Sequence, residues 1–178
     1  YDRAVKYLSK VSALYQSQFN TEAYMYRDPF SIPDAALSKH DNYKLTFAKE
    51  MLRLEKSIAT AKDQSKKAFD LIRYGTGMRN SFTYSWILTE YRIFGWSYEL
   101  SPYANSVLDR VESIYNEALN IVDNDELAAI ACVQLCKWKT AVDMYPNTYA
   151  AKYTKMMCDN LCDYSTNWVV RTTYDFQE

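Results

Sequence analysis

The stretch 107–128, VLDRVESIYNEALNIVDNDELA, decides the fold class of this chain. Apolar residues recur in it at steps of three and four, the spacing that places side chains on one face of an α-helix. The pattern stops at Asp123-Asn124, and Asn124 is a typical helix-capping residue. Asp125 and Glu126 follow, and carboxylates are favoured in the first turn of a helix. The stretch therefore predicts a long helix, a short turn and the start of a second helix.

The same spacing continues towards the C-terminus. It predicts a helix that runs to Tyr145 and is ended by Pro146, because proline does not fit inside a helix. Asn147 or Thr148 can then cap a last long helix. Short turns between packed helices make neighbours antiparallel, so 103–164 is predicted to be a three-helix antiparallel segment.

Towards the N-terminus the spacing predicts a first helix from Asp2 to about Phe19. Two prolines four residues apart, in 28–33, prevent a continuous helix through the segment that follows. Helical spacing resumes near Tyr43, and Asp63 or Ser65 either restarts or continues that helix.

Composition agrees with long helices. The 178 residues include only 3 glycines and 4 prolines, whereas sheet proteins need many turns that carry these residues. We therefore expect an all-α protein, one module of stacked antiparallel helix pairs, and the C-terminal part of a longer chain since it starts at Tyr1. Its predicted parts within 1–178 are the end of a helix pair at 1–27, a linker at 28–42, long helices at 43–94, the three-helix segment at 103–164 and an irregular tail at 165–178.

Charge is divided unevenly along the chain. Residues 1–80 carry 14 Lys and Arg against 9 Asp and Glu, whereas residues 81–178 carry 7 against 13. The halves either attract each other or face different neighbours, although two solvated surfaces are the simpler interpretation. A dense basic face with interleaved aromatic residues is missing, so no nucleic-acid partner is expected. No apolar run approaches the roughly 20 residues of a membrane-spanning helix, so no transmembrane segment is expected.

Several short stretches carry a family resemblance. They are Ala4-Val5-Lys6-Tyr7-Leu8, Tyr26-Arg27-Asp28-Pro29-Phe30, Met78-Arg79-Asn80-Ser81-Phe82 with Trp86 and Leu88-Thr89-Glu90-Tyr91, Asp125-Glu126-Leu127-Ala128-Ala129, and Tyr145-Pro146-Asn147-Thr148 with Cys158 and Asp163-Tyr164. With these stretches the chain resembles the C-terminal portion of large tetratricopeptide-repeat-like proteins of Bacteroidetes. It departs from the standard repeat, because the W-x2-L-G-x2-Y signature is absent from 103–122 and no clean period of about 34 residues fits the chain.

The resemblance implies a right-handed α-solenoid with degenerate repeats. It also implies export to the periplasm or association with the outer membrane. It supplies no catalytic residues to carry over to this chain.

Four cysteines form two pairs with the same spacing, Cys132/Cys136 and Cys158/Cys162. A step of four residues places the members of each pair on one helix face. Buried free thiols are the favoured interpretation. A disulfide between the two helices is the first alternative if the chain is exported. A four-thiolate zinc site is the second, although zinc sites usually use tighter C-x2-C loops.

Other candidates for chemistry are weaker. His40 is the only histidine, which excludes a multi-histidine metal site and favours a solvated or capping role over a catalytic one. Gly75-Thr76-Gly77 lacks the preceding strand and the G-K-[ST] ending of a phosphate-binding loop. We expect it to be a close packing point inside a long helix that reaches Asn80. The sequence predicts no enzyme, no catalytic residues, no cofactor and no metal.

Aromatic residues are unusually frequent. The chain has 17 tyrosines, and eight aromatic residues lie within 82–103. Such rings either fill the wedges between stacked helices, the simpler interpretation, or form a binding surface for a protein or for sugar rings. Trp96 and Tyr98 in a predicted loop, together with Tyr103, are the candidates for partner or glycan contact.

Three functions follow in order of preference. The first is a helical-repeat scaffold that binds another protein in a cell-envelope assembly. The second is a glycan-binding module that uses the aromatic surface around Phe82–Tyr103 to hold a polysaccharide. The third is an enzyme of unrecognised type.

Overall fold

The computed structural model describes residues 1–12, 14, 30, 43–82 and 102–157. In this part of the chain it has seven α-helices and no β-strand, which confirms the all-α prediction. Numbered in chain order, the helices are α1 Asp2–Leu8, α2 Tyr43–Thr60, α3 Gln64–Phe82, α4 Pro102–Ile121, α5 Asp125–Gln134, α6 Trp138–Met144 and α7 Tyr149–Met157.

The helices α2 and α3 form an antiparallel pair joined by three residues. Near the link, Ser57 Oγ donates to Asp70 Oδ2 at 2.6 Å, and farther away Arg73 Nε donates to Glu50 Oε1 at 3.0 Å. Positions in α2 fall as positions in α3 rise, which is the order of an antiparallel pair. Hydrogen bonds therefore fix the register of a pair whose apolar faces meet.

The helices α3 and α4 share the most extensive contact in the described structure. Lys67 Nζ donates to Glu117 Oε1 at 2.9 Å near the start of α3, and the Thr76 and Tyr115 hydroxyl oxygens lie 3.1 Å apart farther along. These two helices are therefore antiparallel as well. The Lys67–Glu117 pair also joins the basic N-terminal half of the chain to the acidic C-terminal half.

One apolar core runs along these helices. Its members come from most of the predicted apolar stripes, although Ala59, which the spacing places on the α2 stripe, is exposed. Ile58, the preceding residue, still packs against the core, so the buried stripe of α2 ends one residue earlier than predicted. The largest fully buried apolar side chains are Met51 and Leu54 of α2, Ile72 of α3, Tyr115 of α4 and Val133 of α5.

Three capping side chains begin helices where the sequence predicts helix starts. Asp63, Asn124 and Thr148 each accept a hydrogen bond from a first-turn backbone N–H, at 2.9, 3.1 and 3.2 Å. The helix near Asp63 therefore restarts rather than continues, and Thr148 rather than Asn147 caps α7. Each cap satisfies a donor that has no partner inside the helix.

The first helix is shorter than predicted. It ends at Leu8 instead of near Phe19, and the N–H groups of Lys10 and Val11 then bond three residues back, at 3.0 and 3.1 Å. The Ser9 hydroxyl donates to the carbonyl four residues before it at 2.6 Å, a local bond that competes with helical pairing. The helix contacts α2, but none of its residues is buried, so tertiary packing stabilises it less than the buried helices.

The predicted helix over 125–145 is two helices, α5 and α6. Between them the N–H of Cys136 donates to Val133 O at 3.0 Å and the N–H of Lys137 donates to Cys132 O at 2.8 Å. This bond pair is the Schellman ending, and Cys136, with φ 59°, takes the left-handed position that glycine usually fills. The prediction that Cys132 and Cys136 share a helix face is therefore wrong. Cys132 is buried within α5, and Cys136 is exposed beyond its end.

Contacts between helices follow chain order. Every substantial contact among the described helices joins helices that are adjacent or next but one in the numbering used here. Thus α3 packs on α4 and α5, and α5 packs on α6 and α7. The core is therefore continuous from one helix to the next along the chain.

None of the described helices is both long enough and apolar enough to cross a membrane. Several predicted features lie outside the described residues. They are residues 13–27 apart from Leu14, which belong to the predicted end of a helix pair, the linker 28–42 apart from Phe30, the segment 83–101 and the tail 165–178.

Candidate functional site

A buried polar cluster lies where α3, α4 and α5 meet. It consists of Thr76 and Arg79 of α3, Tyr115 of α4 and Gln134 of α5, all of them buried. The Tyr115 hydroxyl donates to Gln134 Oε1 at 3.3 Å and lies 3.1 Å from the Thr76 hydroxyl. Arg79 Nη1 donates to the backbone carbonyl of Gln134 at 2.6 Å. Three helices are therefore joined through four side chains at one point.

Gly75 makes room for this cluster. A Cβ atom at that position would lie 3.0 Å and 3.1 Å from two ring atoms of Tyr115. Contacts this short are rare for a Cβ atom, so a residue with a side chain would require the buried Tyr115 ring to shift by a few tenths of an ångström. The prediction that this glycine pair marks a close packing point inside one long helix is confirmed, since α3 continues to Phe82.

The positive charge of Arg79 lies at the C-terminal end of α5. Gln134 is the last residue of α5, so its carbonyl points out of a helix end that carries partial negative charge. The Arg79 guanidinium therefore both satisfies a carbonyl that lacks a helical partner and neutralises this partial charge. The interaction stabilises the junction of α3 and α5.

The phenol of Tyr115 is not poised for acid–base chemistry near neutral pH. Burial raises the pKa of Tyr115 to about 12, although Arg79 nearby acts in the opposite direction. The hydroxyl is therefore protonated at neutral pH and serves as a hydrogen-bond donor. Among the described residues, the one fully buried side-chain nitrogen or oxygen without a hydrogen-bond partner is Trp138 Nε1, so each fully buried polar atom of the cluster has at least one partner.

An aromatic cluster covers the other side of α3. The Phe30 ring stacks on Phe47 with centroids 5.5 Å apart and an interplanar angle of 29°. The guanidinium of Arg73 lies 5.0 Å from the Phe30 ring centre, within the range of a cation–π interaction. A Cβ atom at Gly77 would collide with the same ring. The second glycine of the Gly75-Thr76-Gly77 stretch therefore provides the surface on which Phe30 packs.

Two carboxylates connect neighbouring helices through hydrogen bonds. The two oxygens of Glu126 accept the backbone N–H groups of Tyr149 and Ala150 at 2.7 and 2.8 Å, so α5 caps the start of α7. Glu50 bonds two arginines, and the hydrogen bond from Arg53, opposed by burial and assisted by Arg73, lowers the pKa of Glu50. Both carboxylates therefore connect elements of the fold through hydrogen bonds.

The three residues predicted to contact a partner or a glycan lie where no side chain is described. Tyr103 is the second residue of α4, and nothing is described of its side chain, while Trp96 and Tyr98 lie outside the described residues. His40, Cys158 and Cys162 also lie outside them. Cys132 and Cys136 are both free thiols, and burial raises the pKa of Cys132.

No group of three or more His, Cys, Asp or Glu in the described part of the chain could hold a metal ion. Sequence reasoning did not find the buried polar cluster. The available signal was the spacing of Ile72, Thr76 and Arg79, which places two polar residues on the apolar face of α3. A polar residue on such a face points to a buried hydrogen-bond network.

Apolar side chains are exposed at two places. Met144 at the end of α6 is 65% exposed and Tyr149 at the start of α7 is 61% exposed. The Tyr149 ring stacks on that of Tyr153, with centroids 6.0 Å apart. Tyr7 and Leu14 are the other large exposed apolar side chains among the described residues. The α6–α7 patch, defined here as Met144, Tyr149 and Tyr153, has the residue types that interfaces favour.

Comparison with known proteins finds no matching family model, no similar curated protein and no similar solved structure.

Proposed function

We propose that this chain is a tetratricopeptide-repeat-like scaffold that binds another protein in a cell-envelope assembly and has no catalytic activity of its own. One observation carries the proposal. Each described helix packs on the next helix and, at α3 and α5, on the next but one. Contacts restricted to near neighbours are typical of helical repeats, which stack into extended binding surfaces.

The internal polar contacts support a scaffold rather than an enzyme. Thr76, Arg79, Tyr115 and Gln134 are connected to each other by hydrogen bonds across three helices. The Glu126 carboxylate is occupied by two backbone N–H groups. These contacts fix the angles between helices, and fixed angles present a preorganised surface that loses little entropy on binding.

The α6–α7 patch is the proposed place of contact. Met144 and Tyr149 follow each other closely across the turn between the two helices, and each exposes more than half of its surface. Tyrosine and methionine contribute large contact area at interfaces, and clusters of such residues carry most of the binding energy. We therefore expect the partner to cover these side chains.

Site-specific photo-crosslinking in the source cells tests this function. A photo-reactive amino acid at position 144 should give one discrete crosslinked product that contains a second protein. Ser113, exposed on α4 and distant in sequence from the patch, is the matched control position and should give none. Absence of any adduct at 144, or an identical adduct pattern at both positions, would contradict the proposal.

The glycan-binding alternative makes a separate prediction. If the aromatic residues of 82–103 hold a polysaccharide, then adding polysaccharide should shift tryptophan fluorescence, and Trp96→Ala should abolish the shift. A protein adduct at position 144 together with unchanged fluorescence favours the scaffold. The reverse result favours the glycan-binding module.

A further inference from the structure

The N-terminal helices carry a row of cations on their outward sides. In α1 and the turn after it, the exposed residues Arg3, Lys6 and Lys10 follow at steps of three and four, opposite the half-buried Ala4, Val5 and Leu8. In α2 the exposed Lys49 and Lys56 are seven residues apart, opposite the buried Phe47, Met51 and Leu54. Because α1 packs against α2, the two rows lie on neighbouring helices. The basic face is defined as Arg3, Lys6, Lys10, Lys49 and Lys56.

These cations are not neutralised within the described part of the protein. Arg3, Lys6, Lys49 and Lys56 form no ion pair with any described residue. The contrast is Arg53, also on the outer side of α2, which bonds Glu50 at 2.7 Å. Cations that pair with no described carboxylate gain electrostatic free energy from an anionic partner.

Exposed apolar side chains also occur in this part of the chain, and one of them lies beside a cation. Tyr7, between Lys6 and Lys10 in the sequence, is 60% exposed, and Leu14 is 66% exposed. The ammonium of Lys10 lies 6.0 Å from the centre of the Tyr7 ring. Two of the four large exposed apolar side chains in the described structure therefore belong to the first fourteen residues.

We propose that the basic face, with Tyr7 and Leu14, docks on the surface of an anionic lipid bilayer. Lysine and arginine attract anionic headgroups, while a tyrosine and a leucine gain free energy only where a non-aqueous phase accepts them. An acidic protein would also satisfy the cations, and the polyglutamate arm of the test below separates it from the bilayer. The inference does not depend on protein binding at the α6–α7 patch, which lies on other helices.

Vesicle co-sedimentation tests the proposal with the full chain. Vesicles of phosphatidylcholine with about one third phosphatidylglycerol should bind the protein, whereas pure phosphatidylcholine should not. Raising salt from about 0.1 M to about 0.5 M should weaken binding, because the cations are exposed. The double variant K49E/K56E should lose at least about 25-fold in vesicle affinity, about fivefold for each cation removed.

The double variant K152E/K155E is the matched control, since it changes the net charge equally on two exposed residues of α7. It should bind vesicles like the original protein. Tyr7→Ser tests the apolar component and should weaken binding roughly fivefold. Circular dichroism confirms that each variant is folded.

Three results would overturn the proposal. They are equal binding to neutral and anionic vesicles, equal loss in K49E/K56E and K152E/K155E, and an unchanged affinity in Tyr7→Ser. Binding to soluble polyglutamate as tight as to anionic vesicles would point to an acidic protein partner instead. Vesicle binding with no adduct at position 144 would leave this inference standing while the scaffold function fails.

Discussion

Gly77 lies directly under the ring of Phe30. A Cβ atom at Gly77 would lie 2.9 Å from both Cδ1 and Cζ of that ring, and closer still to Cε1. Phe30 is 6% exposed, and the same ring contacts Phe47 and Arg73. This glycine therefore lets an aromatic side chain from 47 residues earlier in the sequence pack on the backbone of α3. A larger residue at position 77 should destabilise the protein even though it favours the helix.

We expect Gly77→Ala to destabilise the protein by about 1–3 kcal/mol, the usual cost of overpacking. Helix propensity alone predicts the opposite, since alanine in a helix is favoured over glycine by about 1 kcal/mol. Urea denaturation followed by circular dichroism measures the change. In a Phe30→Ala background the same substitution should be neutral or stabilising, and a loss that persists there would show that Phe30 is not the cause.

Stability should fall at high pH because of Tyr115. Its folded-state pKa of about 12 lies above the ordinary value of 10.0, since burial disfavours the phenolate. Below the unfolded-state pKa the neutral phenol contributes its full stabilisation. As pH rises from about 10 towards 12, the free energy of unfolding should fall by roughly 2–3 kcal/mol. Denaturation curves measured from neutral pH to pH 12 should show the fall.

Tyr115→Phe is the variant that isolates this effect. It removes the ionisable group, so the fall above pH 10 should become shallower, while at neutral pH the lost hydrogen bond to Gln134 should cost about 1–2 kcal/mol. Tyr74 contributes as well, because burial raises its pKa too. An identical pH profile in the original protein and Tyr115→Phe would contradict the assignment.

Cys136→Gly should stabilise the protein by about 1 kcal/mol. Cys136 has φ 59°, and a side chain in the left-handed region costs about this much, whereas glycine has no such cost. Thermal melts measure the gain. Cys132→Gly is the control and should destabilise, because Cys132 is buried inside α5, where glycine weakens a helix and leaves a gap.

The cap provided by Glu126 should be worth about 1–2 kcal/mol. Glu126→Ala leaves the N–H groups of Tyr149 and Ala150 without their acceptors and removes an anion from the N-terminus of α7. Hydrogen exchange should accelerate at those two amides first. Asp125→Ala controls for the loss of a carboxylate from the first turn of α5, and it should not affect exchange in α7.

Local features of this fold were accessible from the sequence. Apolar spacing gave α4 nearly to the residue, and Asn124 and Pro146 marked where helices begin and end. These features depend on side chains that act within one turn of their own position. The all-α class followed from the same periodicity.

Features that depend on distant partners were not accessible. The break between α5 and α6 has no glycine or proline to mark it, because Cys136 takes the left-handed position. The burial of Arg79 depends on the end of α5, which lies 55 residues away in the chain. The early end of α1 could not be read from periodicity, which also does not show that no residue of this helix is buried. Periodicity describes one helix face and does not say how much of it a neighbour covers.

The order in which these helices contact each other also bears on how the chain folds. The links between α2 and α3 and between α4 and α5 have three residues each, so closing these two pairs costs little loop entropy. Nucleation can therefore begin at either of these two helix pairs. Local openings should then start at the terminal helices while the α3–α4 pair stays intact.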